Sequence, residues 1–172
     1  MGSTGAEGAD FDEVFTAEFP RLVGIAGLIV GDRGRAREIV QESFARALAR
    51  WDRVGRYDSP QAWLTTVTVR QAVRARDRSR REPPVGDHAL GGGPTPGPAS
   101  AVEARLLVQQ ALRELPPQQR AVVVLHHLED RPIAEVAELL GVRQGTVKTQ
   151  LSRARARIAA LLEADVIAEV HP

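Results

Sequence analysis

The sequence predicts an all-α protein built from two small helical units joined by a flexible linker. Apolar residues recur every three or four positions on both sides of the chain's middle, and no segment shows the sustained alternation of a strand. Between them, residues 83–100, PPVGDHALGGGPTPGPAS, hold five prolines and five glycines, a composition that favours neither helix nor sheet. We therefore expect an N-terminal unit at 10–82, a linker at 83–101 and a C-terminal unit at 102–163.

The charge of the chain is balanced in total but uneven along its length. Of 172 residues 43% are apolar, which is enough for a core, and the formal net charge is only +1. Residues 1–20 carry five acids and no base, whereas residues 143–157 carry five bases and no acid. This asymmetry indicates a polyanion-binding face.

Several classes of protein are disfavoured by composition. The absence of cysteine excludes disulfides and thiolate metal sites. No apolar run approaches the roughly 18 residues of a membrane span, and the acidic start does not resemble a signal peptide. We expect a cytoplasmic protein without membrane insertion.

Three helices are predicted in the N-terminal unit. Asp10 and Glu13 form a capping box for a helix that reaches about residue 29. A second helix is expected from about Arg35 to Trp51, and a third from about Gln61 to Arg81. The inward face of the second helix is predicted to comprise Val40, Phe44, Ala47, Leu48 and Trp51.

The C-terminal unit has sharper predicted boundaries. A helix at about 102–115 is followed by one that opens at Pro117, and a short helix lies between Pro132 and Gly141. The predicted inward faces of these helices are Val108, Ala111, Leu112 and Leu115; Ala121, Val122, Leu125 and Leu128; and Ile133, Val136, Ala137 and Leu140. The short helix, the glycine-containing turn and the longer basic helix after it predict a helix-turn-helix.

The basic helix has two opposite faces. On a helical wheel Val147, Leu151, Ala154 and Ile158 lie within about 40° of one another and are expected to pack inward. The opposite strip comprises Thr146, Thr149, Gln150, Arg153 and Arg157, with Lys148 and Arg155 on its flank. Fixed donors and acceptors of this kind suit base edges in a DNA major groove, with the flank on phosphates. The alternative is a solvated charged face, although the usual interleaved acids are missing.

Two surfaces of the N-terminal unit allow alternative interpretations. Trp63, Val67, Arg70 and Arg74 share one helical face, as in a platform for single-stranded nucleic acid, but Trp63 could equally be a core residue. Glu38, Gln41 and Glu42 project away from the apolar stripe of the second helix. They could be ordinary surface charges or a docking patch for a basic partner.

No catalytic or metal site is expected. His126, His127 and Glu129 lie close in sequence, but adjacent helical residues point about 100° apart and a third ligand at suitable spacing is missing. Nothing arranges serine and histidine as a triad. We therefore expect neither an enzyme nor a cofactor.

At the level of motifs, the chain resembles the extracytoplasmic-function (ECF) sigma factors of the bacterial sigma-70 family over about residues 11–163. REIVQESFARALARWDRV resembles region 2.2, and AWLTTVTVRQAVRARDRSRR resembles regions 2.3 and 2.4. LRELPPQQRAVVVLHHLEDRPIAEVAELLGVRQGTVKTQLSRARARI resembles region 4. The resemblance implies a region 2 bundle and a region 4 helix-turn-helix, joined by a linker that threads toward the RNA exit channel.

The resemblance also implies roles for particular residues. Glu38, Gln41, Glu42 and Phe44 match positions that dock on the clamp helices of the polymerase β′ subunit. The positions implied to open and read the −10 element are Tyr57, Asp58, Ser59, Trp63, Arg70 and Arg74. Those implied to read the −35 element are Thr146, Lys148, Thr149, Gln150, Arg153 and Arg157. The chain departs from the family pattern at Arg70, Arg143 and Gln150, which affects the preferred promoter sequence.

The function implied is that of a transcription initiation factor, with core RNA polymerase (β′ clamp helices and β flap) and promoter DNA as partners. Many such factors are held inactive by an anti-sigma protein, which is a further expected partner. The alternative is a stand-alone helix-turn-helix regulator whose N-terminal unit serves dimerisation or effector binding.

Overall fold

The computed structural model describes residues 8–81 and 99–170, and it describes side-chain environments at 8–78 and 106–161.

The first helix has well-defined ends. α1 spans Phe11–Val30, and the Asp10 carboxylate accepts a hydrogen bond from the Glu13 backbone N–H at 3.0 Å, as the sequence predicts. Gly31 ends the helix in the left-handed region at φ +82°, where glycine avoids the strain of a Cβ.

The second predicted helix is divided into two. α2 spans Arg33–Leu48, and a separate single turn, α3, spans Trp51–Val54. The extension to Trp51 was wrong because Arg50, at φ −134°, leaves helical geometry. The Trp51 indole N–H instead donates to the Ala9 carbonyl at 2.9 Å. The inward assignment of Leu48 was also wrong, since it lies at the end of α2 and is 57% exposed.

The third long helix completes a bundle. α4 spans Pro60–Arg81, and the Ser59 hydroxyl caps it by accepting from the Ala62 N–H at 3.1 Å. α1, α2 and α4 pack against one another. Leu22, Ile29, Val40 and Leu64 are completely or almost completely buried between them, so the apolar stripes of the three helices form the core of the N-terminal unit.

The C-terminal unit begins within the predicted linker. α5 spans Ala99–Arg113, and residues 83–98 of the predicted linker lie outside the described residues. Leu112 and Leu115 are buried as expected. Val108 is exposed, contrary to the prediction, since the part of α5 on which it lies projects into solvent.

The next helix ends in a π-helical turn. α6 spans Pro117–Val123 and continues into a turn over Val124–Leu128, in which the Glu129 N–H reaches the Val124 carbonyl at 3.0 Å. This bond spans five residues and widens the turn, so side chains advance less per residue than in an α-helix. Leu125 stays buried, but Leu128 is 45% exposed and its inward assignment was wrong.

The helix-turn-helix is present as predicted. α7 spans Ile133–Leu140 and ends at Gly141, which has φ +69°. α8 spans Gln144–Val170 and buries Val147, Leu151 and Ala154 against α6 and α7. Among the described residues there is no strand, and no helix is long and apolar enough to cross a membrane.

The two units are in contact. α4 packs against α6 and α7, and α1 packs against α6 and the π-helical turn. Buried side chains of both units belong to one hydrophobic cluster. This contact between the units was not predicted from the sequence.

Candidate nucleic-acid interface

The exposed strip of α8 lies opposite the face of the helix that is buried in the core. Val147, Leu151 and Ala154 are anchored in the core and Ile158 is partly buried, which confirms the predicted inward face. The side chains on the strip and its flank that reach solvent are Lys148, Thr149, Arg153, Arg155 and Arg157, whereas Thr146 and Gln150 are partly buried. A rigid helix thus presents these polar groups outward together.

The first turn of α8 is organised by backbone groups. The Arg143 carbonyl accepts from the N–H groups of Thr146 and Val147 at 2.9 and 3.2 Å. An arginine side chain has no acceptor, so Arg143 cannot cap the helix through its side chain as serine would. The Thr149 hydroxyl donates to the Gly145 carbonyl at 2.9 Å, which leaves the hydroxyl oxygen available as an acceptor.

The strip carries positive charge without acidic partners. No ion pair joins Lys148, Arg153 or Arg157 to an acid within the part of the chain whose side chains are described. Elsewhere, Arg35 pairs with Glu38 on α2 at 2.7 Å, and Arg131, just before α7, pairs with Glu135. The strip is therefore suited to an external anion.

Next to the strip lies His127. Burial, the neighbouring His126 and the nearby Arg155 lower the pKa of His127 below its usual value. His126 contacts the Arg131 carbonyl through Nδ1 at 2.7 Å. Across the side chains that are described, no group of three or more acids and histidines could hold a metal ion.

On α2, the predicted docking residues divide into exposed and buried positions. Glu38, Gln41 and Glu42 are exposed; Glu38 pairs with Arg35, and Glu42 pairs with Arg46 one turn away. Phe44 is 2% exposed. Its prediction as a contact residue is corrected, because Phe44 packs among the rings of Phe11, Phe15 and Phe19 and supports α2 from within.

A polar groove runs between α2 and α4. Glu38 and Glu42 border it on one side, and Gln71, Arg74 and Arg78 border it on the other. The structure therefore brings Arg74, predicted for DNA, beside the acids predicted for a protein partner. The acids of α2 lie among arginines rather than in a purely acidic patch.

The loop before α4 is exposed. Tyr57, Asp58 and Ser59 all reach solvent. Because Ser59 caps α4, the position of the loop is fixed relative to the helix. Trp63, one turn into α4, is partly buried against the core and keeps part of its side chain exposed.

Arg70 and Arg74, which were predicted to share one face of α4, differ in their contacts within the molecule. Arg70 Nε donates to the Leu139 carbonyl at 2.9 Å, and Nη2 donates to the Glu138 carbonyl at 3.0 Å. Both acceptors belong to α7 in the other unit. Arg70 is thus engaged within the molecule, whereas no hydrogen bond or ion pair of Arg74 is found among the described residues.

Sequence reasoning missed Arg120, which is fully buried and contacts the other unit. The burial of Arg120 could have been predicted from its helical spacing. Arg120 lies three residues after Pro117 and four before Val124, and both of these are buried on the same helical face.

Comparison with known proteins assigns the two units separately. Residues 14–82 match the family described as Sigma-70 region 2. Residues 105–158 match the family described as Sigma-70, region 4. These two ranges together cover more than half of the chain.

Characterised relatives match nearly the full chain. The ECF RNA polymerase sigma factor SigM of Mycobacterium tuberculosis is 34% identical over 155 residues, covering 88% of this chain and 76% of that protein. The RNA polymerase sigma-E factor of Streptomyces coelicolor is 31% identical, covering 87% of this chain and 84% of that protein.

Solved structures share the fold. RpoE of Bartonella quintana, in complex with the anti-sigma factor NepR, superposes with a TM-score of 0.69 at 25% identity, covering 91% of this chain and 98% of RpoE. The extracytoplasmic function sigma factor SigJ of Mycobacterium tuberculosis gives a TM-score of 0.63 at 30% identity, covering 94% of this chain and 57% of SigJ.

Proposed function

The chain belongs to the sigma-70 family of RNA polymerase sigma factors, and from this premise we propose how its two units divide promoter recognition. A protein of this family is a transcription initiation factor that directs RNA polymerase to promoters. The N-terminal unit, 10–82, binds core polymerase and the −10 element. The C-terminal unit, 102–163, binds the −35 element as duplex DNA, and the segment 83–101 links the two.

The exposed strip of α8 carries the proposal for the −35 element. Arg153 can donate two parallel hydrogen bonds to guanine, and Thr149 and Gln150 can adapt to other base edges. Lys148 lies on the flank, where a phosphate backbone would pass. Thr146 and Arg157 extend the strip at its two ends.

The N-terminal unit is suited to polymerase and to opened strands. Glu38, Gln41 and Glu42 are exposed on one helix for the β′ clamp helices, and Phe44 holds that helix in place. Tyr57, Asp58 and Ser59 form a fixed loop near Trp63, whose half-exposed ring can stack on a base. Arg70 and Arg74 are assigned to the backbone of the −10 strand.

The mode of action is binding rather than catalysis, and we place it in the bacterial cytoplasm, where polymerase and promoters occur. Captured bases are held without a covalent step, so no enzymatic activity or cofactor is assigned. The β flap is a further contact on polymerase. Because RpoE of Bartonella quintana was solved with an anti-sigma factor, we extend the same class of partner to this chain.

A stand-alone helix-turn-helix regulator is not favoured. That alternative requires residues 10–82 to be a dimerisation or effector module, but residues 14–82 match sigma-70 region 2.

Run-off transcription tests the proposed function. Purified bacterial core polymerase is combined with this protein and a library of promoter fragments. We expect initiation that depends on the added protein. Duplex binding without core association or initiation would refute the proposal.

The polymerase surface is tested by changing Glu38, Gln41 and Glu42 together to alanine. Core binding should fall by at least about tenfold, because charged and polar contacts set docking specificity and rate. Folding should be nearly unchanged, since exposed helix ion pairs contribute only about 0–1 kcal/mol. Binding is measured by titrating labelled protein with core polymerase.

A matched variant, D12A/D52A, removes two exposed acids elsewhere on the same unit. It should bind core polymerase like the parent protein. Equal losses in the two variants would show that net charge, rather than this surface of α2, governs the association.

A further inference from the structure

The segment ahead of α1 is hydrogen-bonded to α3 and to the residue that follows it. The Ala9 N–H donates to the Gly55 carbonyl at 2.9 Å, and the Ala9 carbonyl accepts from the Trp51 indole N–H at 2.9 Å. Both backbone polar groups of Ala9 are therefore engaged by one short stretch of the chain. We call Gly8, Ala9, Trp51 and Gly55 the N-terminal clasp.

The parts of the N-terminal clasp approach one another closely. A Cβ on Gly8 would lie 3.0 Å from the Gly55 carbonyl oxygen, and a Cβ on Gly55 would lie 3.0 Å from Nε1 of Trp51. Neither glycine has a φ in the left-handed region, so space rather than backbone conformation favours glycine at both positions. The Trp51 ring packs edge-on against Phe11, with 5.0 Å between the ring centroids.

α3 has little stability of its own. It is a single turn of four residues, and isolated helices shorter than about 12–15 residues are marginal in water. The Val54 side chain, which is 1% exposed, anchors this turn in the core. The N-terminal clasp supplies the hydrogen bonds that fix the turn from the other side.

The loop assigned to the −10 element begins where the N-terminal clasp ends. We call Tyr57, Asp58 and Ser59 the −10 loop. The Tyr57 N–H donates to the Val54 carbonyl at 3.1 Å, so this loop continues directly from α3. At its other end Ser59 caps α4. A displacement of α3 would therefore move the exposed side chains of Tyr57 and Asp58.

We propose that the N-terminal clasp positions the −10 loop for capture of a −10 base, with Trp51 as the positioning residue at its centre. The proposal rests on the role assigned to Tyr57, Asp58 and Ser59 in the proposed function. Trp51 acts through α3 rather than on the base itself. When the clasp is weakened, only a fraction of the molecules holds the loop in the competent position, and the apparent affinity falls by that fraction.

Fluorine NMR on the free protein tests whether the N-terminal clasp holds the −10 loop. Tyr57 is the single tyrosine of the chain, so incorporation of fluorotyrosine gives one resonance from this loop. Trp51→Phe keeps an aromatic ring beside Phe11 but removes the indole N–H that Ala9 accepts. We expect one narrow resonance in the parent protein and a shifted or broadened one in the variant. An unchanged resonance would overturn the proposal.

A second variant weakens the N-terminal clasp from its other side. Gly8→Ala places a Cβ 3.0 Å from the Gly55 carbonyl oxygen and leaves Trp51 intact, so it should perturb the Tyr57 resonance as Trp51→Phe does. Gly24→Ala is the matched control, because a Cβ on this residue of α1 meets nothing within 4 Å. It should leave the resonance unchanged, and equal perturbation by all three variants would contradict the proposal.

Binding of a single-stranded −10 oligonucleotide to the complex with core polymerase tests the consequence for promoter recognition. Trp51→Phe and Gly8→Ala should each lower the affinity roughly three- to tenfold, the equivalent of one lost hydrogen bond. Core binding and −35 duplex binding should stay unchanged. A perturbed loop with unchanged affinity for the −10 strand would refute the positioning role. Should Trp51→Phe fail to bind core polymerase, Gly8→Ala, which keeps every other side chain of the unit, decides.

Failure of the proposed function is distinguishable from failure of this inference. A complex of the parent protein with core polymerase that binds no −10 strand would contradict the role assigned to the −10 loop. The fluorine resonance of Tyr57, recorded without DNA or polymerase, would still decide whether the N-terminal clasp fixes the loop.

Discussion

At the scale of single residues, the contacts proposed for Arg153 and Lys148 would separate sequence reading from general affinity on one helix. Arg153 projects from the centre of the exposed strip of α8, and Lys148 lies on its flank. Base contacts discriminate sequences, whereas phosphate contacts position the protein on any sequence. The two residues should therefore respond differently to substitution.

Arg153→Ala should cost about 1–3 kcal/mol of duplex affinity and relax preference at one −35 position. Lys148→Ala should weaken all duplexes alike and lower the slope of log affinity against log salt by about 1. Fluorescence anisotropy with a set of −35 variants at several salt concentrations measures both effects. A uniform loss for Arg153→Ala would place that residue on the phosphates instead.

The burial of a side chain could be predicted where helical periodicity determines which face it lies on. The inward positions of Val147 and Ala154, and hence the exposed strip, follow from periodicity alone. Phe44 and Arg70 could not be placed in this way. The burial of Phe44 depends on three rings of α1, and the engagement of Arg70 depends on a helix end about seventy residues away.

At the scale of elements, helix ends are set by local chemistry. Asp10 and Gly141 mark ends that the sequence predicts and the structure confirms. The break before Trp51 and the π-helical turn were missed, because both depend on backbone geometry that side-chain periodicity does not encode. One extra residue in a turn is enough to carry Leu128 out of the core.

Gly31, which follows α1, and Gly24 within it test the importance of the helix end. Gly31 has φ +82°, and an added Cβ would lie 3.1 Å from Nη1 of Arg120. Gly31→Ala should lower the free energy of unfolding by about 1–2 kcal/mol, because a non-glycine residue is strained there. The measurement is urea denaturation at equilibrium.

Gly24→Ala on the same helix is the control. An added Cβ meets nothing within 4 Å, and alanine is the better helix former. The free energy of unfolding should rise by about 0.5–1 kcal/mol. Shifts in the same direction for both variants would exclude left-handed strain as the cause.

At the scale of the whole molecule, the two units share one hydrophobic cluster. The prolines and glycines of residues 83–100 predicted a flexible linker between the units. The linker composition does not report on the surfaces it joins, and the contact depends on tertiary neighbours such as Arg120 and Ile29. This level of organisation was therefore not predictable from the sequence.

The shared cluster predicts cooperative unfolding. In differential scanning calorimetry the free protein should melt in one transition, with equal calorimetric and van't Hoff enthalpies. Two resolved transitions would show that the units unfold separately. Arg70→Ala should bring the melting of the two units apart, since it removes contacts between them while leaving each core intact.

The hydrogen bonds of Arg120 and Arg70 at the ends of α1 and α7 make the stability of one unit depend on residues of the other. Replacing Arg120, whose guanidinium donates to the Ile29 carbonyl, would therefore loosen the end of α1 without changing a residue assigned to DNA or to polymerase. Such a change would act on the abundance of the folded protein rather than on the sequences that it recognises.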